Sequence, residues 1–304
     1  MRGFYVLLPI FIEADYNDIM NWIIISMLMF GSSVVLYLLV RKSQLQHIYN
    51  TVNNFYTFLI PTVIFFAIVI YMHISFELPL YLFLIIILTS FFLSYLGNRA
   101  SLRSIKSAPN PGYSLIISKS YVVYTTLISI VLFKSDISLK NSVAIIIIII
   151  FSALIMLTKK ITKQRQSKEW IIFAFGSFFA WGTLALVSKF ILSHDVQVFL
   201  YLFYLHLFVS VFIFIESKVR HISLVTTKAN IPILLYIGIA NMLFNLFLQY
   251  GIKIAPNPGY INAVNASSIS AVTLLSAYFY KDELTTIKLI GIFGVTAGLM
   301  LLFL

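Results

Sequence analysis

The sequence predicts an all-α integral membrane protein in which ten transmembrane helices form two inverted five-helix repeats around a central cavity. Three observations predict it. Of the 304 residues, 61% are hydrophobic and 10% charged, with a mean hydropathy of +0.98, whereas a soluble domain is roughly 45–50% apolar and about 25% charged. The hexapeptide Ala-Pro-Asn-Pro-Gly-Tyr occurs at 108–113 and again at 255–260, 147 positions on. At that offset Asn98 meets Asn245, Lys106 meets Lys253 and Lys134 meets Lys281; further upstream the offset is 148, pairing Trp22 with Trp170 and Arg41 with Lys189. A duplication of about half the chain follows. Finally, each half holds five apolar segments, and an odd number makes the second half cross the bilayer in the opposite sense.

Residues 1–20 hold one apolar run, Phe4 to Ile12, too short for the roughly 20 residues of a spanning helix, so they read as an interfacial segment. With only Arg2 ahead of the run and Glu13, Asp15 and Asp18 behind it, it lacks the charged front and cleavage site of a secretory signal. Spans over 21–40, 52–72, 79–104, 110–133 and 141–158 make the first repeat, 21–158. The basic stretch 159–169 joins it to the second repeat, 170–304, with spans over 170–191, 196–216, 231–253, 257–280 and 286–304. In each hexapeptide the first Pro must end a helix, because it has no N–H and clashes with the preceding turn. Asn110 and Asn257 then suit an N-cap, and Pro111 and Pro258 the first helical position. Gly112 and Gly259 permit a close approach to a neighbouring helix.

Trp181-Gly182 with Lys189, the stretch Leu248 to Pro258, and Tyr280-Lys281-Asp282-Glu283-Leu284-Thr285 followed by Gly291, Gly294 and Gly298 together resemble the drug/metabolite transporter superfamily in its EamA-type branch. The first half resembles it less closely. Its corresponding turn reads Phe133-Lys134-Ser135-Asp136-Ile137-Ser138, and Gly31-Ser32-Ser33 stands where Trp-Gly is expected. The resemblance implies ten helices, both termini cytoplasmic, and a cavity lined by helices one to four and six to nine, with alternating access around a midplane site. The distribution of basic residues points the other way. Connections after odd-numbered spans carry Arg41, Lys42, Arg99, Arg103, Lys106, Lys159, Lys160, Lys163, Arg165, Lys168, Lys218, Arg220, Lys228, Lys281 and Lys288, and the other ends carry Arg2, Lys134, Lys140, Lys189 and Lys253. The positive-inside rule would therefore place the termini outside.

Candidate functional residues are sought inside the spans, where a charge costs about 2.5–3.5 kcal/mol or more to insert. Lys119 lies near the middle of the fourth span, and no span interior holds an Asp or Glu to pair with it. Its ammonium is a candidate contact for an anionic substrate group, the alternatives being snorkelling or a neutral amine. His206, mid-way along the seventh span, is a candidate for substrate contact or for a helix–helix hydrogen bond. Asn241, Asn245 and Gln249 recur every four residues and Asn262 and Asn265 every three, so each set shares a helical face. These, with Asn98 as the repeat mate of Asn245 and Trp181 beside the Trp-Gly step, are candidate cavity residues or interhelical hydrogen-bond partners. Arg99, Arg103 and Lys106 share a face of the third span and, with Lys189, are candidates for gating or for an electrostatic funnel, the alternative for the three being head-group contacts at a membrane interface.

Cysteine is absent, which excludes disulfides and thiolate chemistry. The net charge of +11 belongs with membrane-flanking Lys and Arg rather than with nucleic acid. No Walker motif appears, and no cofactor or metal is implied. The expected function is a secondary transporter or facilitator of a small polar metabolite, anionic or zwitterionic and amino-acid-like, working as a monomer or homodimer in a bacterial cytoplasmic membrane. An integral-membrane enzyme acting on a lipid-linked substrate would need a catalytic cluster at membrane depth, and the spans show none. A non-transporting assembly subunit would need only a sealed bundle.

Overall fold

A computed structural model describes residues 18–108, 111–135, 137–157 and 169–304. Among these residues all regular structure is helical. The helices are α1 (Asp18–Leu45), α2 (Asn50–Tyr71), α3 (Leu80–Ser107), α4 in two pieces (Pro111–Lys119 and Tyr121–Phe133), α5 (Leu139–Met156), α6 (Glu169–Leu192), α7 (Val198–Val219), α8 (Ile231–Ile254), α9 (Pro258–Tyr280) and α10 (Thr286–Phe303). Residues 1–17 of the expected interfacial segment, the Pro109-Asn110 step and residues 159–168 of the basic linker lie outside the described residues.

Among the described residues nine of the helices are long and apolar enough to cross a bilayer. The other, α9, has the length, at 23 residues, but Asn262, Asn265, Ser267, Ser268, Ser270 and Ser276 dilute its hydropathy, and all six are buried. A helix hidden inside a bundle can be polar where one facing lipid cannot. Its start follows the sequence reading. Asn257 Oδ1 accepts the Gly259 N–H at 2.8 Å, and Pro258 opens the first turn. Gly259 lets α9 touch α4, because a Cβ there would collide with Thr126.

The helix limits repeat with the sequence. At offset 148, α2 and α7 coincide at both ends, and at offset 147 so do α5 and α10, while α3 and α8 share their C-terminal limit. Among the described residues the six non-glycine positions with positive φ pair at the same offsets: His47 with Asp195, His73 with His221, and Lys134 with Lys281. Each lies just past a helix C-terminus, where a left-handed residue closes the last turn. Packing has the same regularity. α1 packs on α8 and on α9 as α6 does on α3 and on α4, α2 packs on α8 as α7 does on α3, and α2–α7, α4–α9 and α5–α10 join equivalent helices. The α5–α10 contact is close because Gly291, Gly294 and Gly298 face Phe151, Ile155 and Ile148.

Three local features break the regularity, all in α3 and α4. In α3 the segment Thr89–Tyr95 is widened to a π-helical turn, while α8 runs as α-helix throughout. In α4 the Ser120 hydroxyl donates to Ile116 O at 2.7 Å, the back-bonding by which a serine bends a helix. The helix stops after Lys119 and resumes at Tyr121, whereas α9 is continuous. The third is a cleft beside α3, described below.

The two ends of the bundle differ. One, here the basic end, carries the α1–α2, α3–α4, α7–α8 and α9–α10 connections with most of the Lys and Arg among the described residues. The opposite end is closed by an apolar cluster that includes Phe65, Val69, Leu82, Ile86, Leu192, Phe203 and Met242.

Candidate functional site

A polar seam runs where α1, α2, α4, α8 and α9 meet. Ser33 of α1 lies 3.0 Å from the Ser268 hydroxyl and donates to Asn265 Oδ1 at 3.4 Å. Asn241 Nδ2 donates to Thr57 O of α2 at 2.9 Å, and Asn245 Nδ2 donates back to Asn241 O and Oδ1 at 2.9 and 3.0 Å. Gln249 and Asn262 are each 2% exposed, yet Gln249 Oε1 and Asn262 Nδ2 have no hydrogen-bond partner. Leaving such a group unsatisfied costs about 1–3 kcal/mol, so the seam keeps polar capacity that its packing does not use.

His206 does not bridge helices by hydrogen bonding. One ring nitrogen, Nδ1, lies 2.8 Å from Leu202 O on its own helix, the ring packs between Phe58 and Phe65 of α2, and Nε2 is buried without a partner. Trp181 is half-buried against the cluster of Trp22, Tyr121 and Tyr260. Its neighbour Gly182 explains the Trp-Gly step, since a Cβ there would meet the Tyr124 ring and push α4 off α6.

Lys119 ends the first piece of α4. No carboxylate pairs with it among the described residues, and its Nζ stands 5.9 Å from the Tyr37 ring centroid on α1, within cation–π range. The break at Ser120 places this half-buried lysine between two helix pieces. Beside it Ile116, Ser120, Ala266 and Ser152 line a small gap, into which Ser152 brings a hydroxyl without a partner.

The second polar site is a cleft of about 160 Å³ at the basic end, between the start of α2, the C-terminal part of α3 and the C-terminal part of α7. Arg99 Nη1 lies 3.2 Å from Glu216 Oε1, and Arg220 Nε reaches the same oxygen at 3.1 Å. The Tyr95 hydroxyl donates to Glu216 Oε2 at 2.8 Å and accepts from Arg99 Nη1 at 3.1 Å. Asn50, Thr51, Asn54 and Asn98 complete the polar wall.

This geometry corrects two groupings drawn from sequence. Asn98 does not line the seam with Asn245, because helices exchanged by the duplication run from opposite ends; equivalent positions on α3 and α8 therefore fall near opposite ends of the bundle. Of Arg99, Arg103 and Lys106 only Arg99 joins the cleft. Arg103 pairs with Glu169 at 3.7 Å and covers the Phe173 ring at 4.2 Å, and Lys106 is exposed. A step of four residues overshoots a full turn by about 40°, enough to carry the side chain from α7 to α6. Lys189 lies at the opposite end, donating to Lys253 O at 2.7 Å and Ala255 O at 3.3 Å, where it satisfies the last carbonyls of α8. Sequence reasoning passed over Glu216, Arg220 and Tyr95. The i,i+4 spacings 95/99 and 216/220 are visible in the chain, but the bond between the two pairs is tertiary.

The EamA-like transporter family matches residues 168–304. No curated protein matches the chain. A crystal structure described only as that of a protein is similar to it over 93% of this chain and 96% of its own, with a TM-score of 0.75 and 11% identity; a likeness at that identity concerns the fold alone. The likeness to the EamA-like transporter family, within the drug/metabolite transporter superfamily, thus lies in the second half of the chain, residues 168–304.

Proposed function

We propose that the chain is a secondary transporter or facilitator, without covalent chemistry of its own, that moves a small anionic or zwitterionic, amino-acid-like metabolite by alternating access. The observation that carries this reading is the buried polar seam between two matched sets of five helices, with Lys119 beside it and the amides of Gln249 and Asn262 unsatisfied within it. Ten crossings follow if α9 spans with the others, and five per half makes the halves inverted. Rocking of one half against the other would open the seam to each side in turn. Lys119 would receive the substrate's anionic group, and Asn245, Gln249, Asn262 and Asn265 its polar remainder. A bacterial cytoplasmic membrane suits the composition.

The test is counterflow uptake in proteoliposomes against labelled amino acids, organic acids and nucleotides, comparing the intact chain with Lys119→Ala. Saturable uptake of an anionic or zwitterionic compound is expected, reduced about tenfold or more in the variant, the scale of losing a charge-assisted hydrogen bond. Unchanged uptake in Lys119→Ala would remove that lysine from the site. A folded protein that takes up nothing would sink the carrier reading.

A further inference from the structure

The charged cleft at the basic end is not required by the fold. At the duplication offsets Tyr95, Arg99, Glu216 and Arg220 correspond to Met242, Leu246, Ile68 and Met72, and all four of those residues belong to or pack on the apolar cluster that closes the opposite end. The same backbone positions serve there with hydrocarbon. Replacing a shielded ion pair by well-packed apolar groups is often neutral or stabilising, so stability gives no reason for the charges.

The unused bonding capacity says what they suit. Two guanidiniums bring ten N–H donors, and the contacts to Glu216 and Tyr95 occupy few of them; the Arg99 and Arg220 side chains are 41% and 54% exposed. One negative charge faces two positive ones. The first turn of α2 adds backbone N–H groups that no N-cap side chain takes, with Asn50, Thr51 and Asn54 beside them. The free capacity is for an anion, and the planar fork of a guanidinium matches a carboxylate. The cleft, at about 160 Å³, has room for a small carboxylate beside the two guanidiniums.

We propose that this cleft binds the carboxylate of a small organic acid or amino acid, which replaces Glu216 on Arg99 and so releases α3 from α7. The two helices belong to different halves, so the exchange of one carboxylate for another unlatches the halves at this end. The proposal rests on the transport reading for what the ligand is: cargo met before it reaches the seam.

The experiment is equilibrium titration calorimetry on the intact chain in lipid nanodiscs, with propionate, alanine, propylamine and chloride as probes and counterflow run on the same preparation. Saturable binding of propionate or alanine, and not of propylamine or chloride, is expected. Arg99→Gln should weaken it about tenfold or more. Glu216→Gln should tighten it severalfold, because the bound carboxylate loses its competitor, a direction that misfolding cannot produce. Arg103→Gln should leave it unchanged. Binding of chloride as tight as that of the carboxylates, unchanged binding in Arg99→Gln, or weakened binding in Glu216→Gln overturns the proposal. If neither carboxylate binds while counterflow proceeds, the cleft proposal falls and the transport reading stands. If the expected binding pattern appears and no compound is taken up, the site stands and transport falls.

Discussion

Asn257 and Glu216 mark the limits of what single residues disclose in a sequence. Asn257 sits between two prolines, and its cap on Gly259 is a local matter that the hexapeptide alone dictates. It also accepts from Ser129 of α4 at 2.9 Å, a tie between α9 and α4 that no local rule supplies. Glu216 reads in the chain as one more acid near a helix end. Its meaning depends on Tyr95, 121 positions away. Gly259 belongs with the legible residues, since a glycine after Asn-Pro invites close packing and Thr126 is what approaches. Gly259→Ala should overpack that contact by about 1–3 kcal/mol and lower the melting temperature in detergent by several degrees. A variant that melts with the parent chain would show that α4 and α9 are less closely seated than the structure has them.

Among the elements, hydropathy located nine of the helices to within a few residues, because lipid-facing length is written directly into composition. The span over 257–280 was read with them, although buried asparagines and serines lower its hydropathy, and the repeated hexapeptide marked its start. The π turn in α3 and the break in α4 left no readable sign. A serine in an apolar helix can bond its own backbone or leave it alone, and the neighbours decide. The family match begins at residue 168, and both of these departures lie before it. The connection after α9 shows how elements are braced: Arg41, near the end of α1, reaches Asp282 through two bonds of 2.6 and 3.1 Å. With both side chains about one-third exposed, the pair is worth no more than about 1 kcal/mol. Arg41→Asp should nevertheless lower the melting temperature through like-charge repulsion, and the exchange Arg41→Asp with Asp282→Arg should restore most of it. No recovery in the double variant would mean that the two side chains do not meet.

For the whole molecule the distribution of charge bears on which way it faces. The basic connections gather at one end of the bundle, and the positive-inside rule places that end in the cytoplasm, against the orientation that the resemblance implies. The absence of cysteine makes the question easy to put. Ser75→Cys in the α2–α3 connection and Ser223→Cys in the α7–α8 connection are both exposed, at opposite ends. A membrane-impermeant maleimide added to intact cells should label Ser75→Cys and spare Ser223→Cys; the reverse pattern would put the termini inside. The plug of hydrocarbon at one end and the cluster of charge at the other also make the two doors of such a carrier unequal. Opening the greasy door wets apolar surface at about 25 cal/mol per Å², and shutting the charged one strips water from guanidinium and carboxylate. In the proposed carrier both penalties would push in one direction. In the proposed carrier, release of the Arg99–Glu216 tie would therefore swing the molecule toward its basic side like a sprung turnstile, and a solute arriving from the far side would wait for a rare swing.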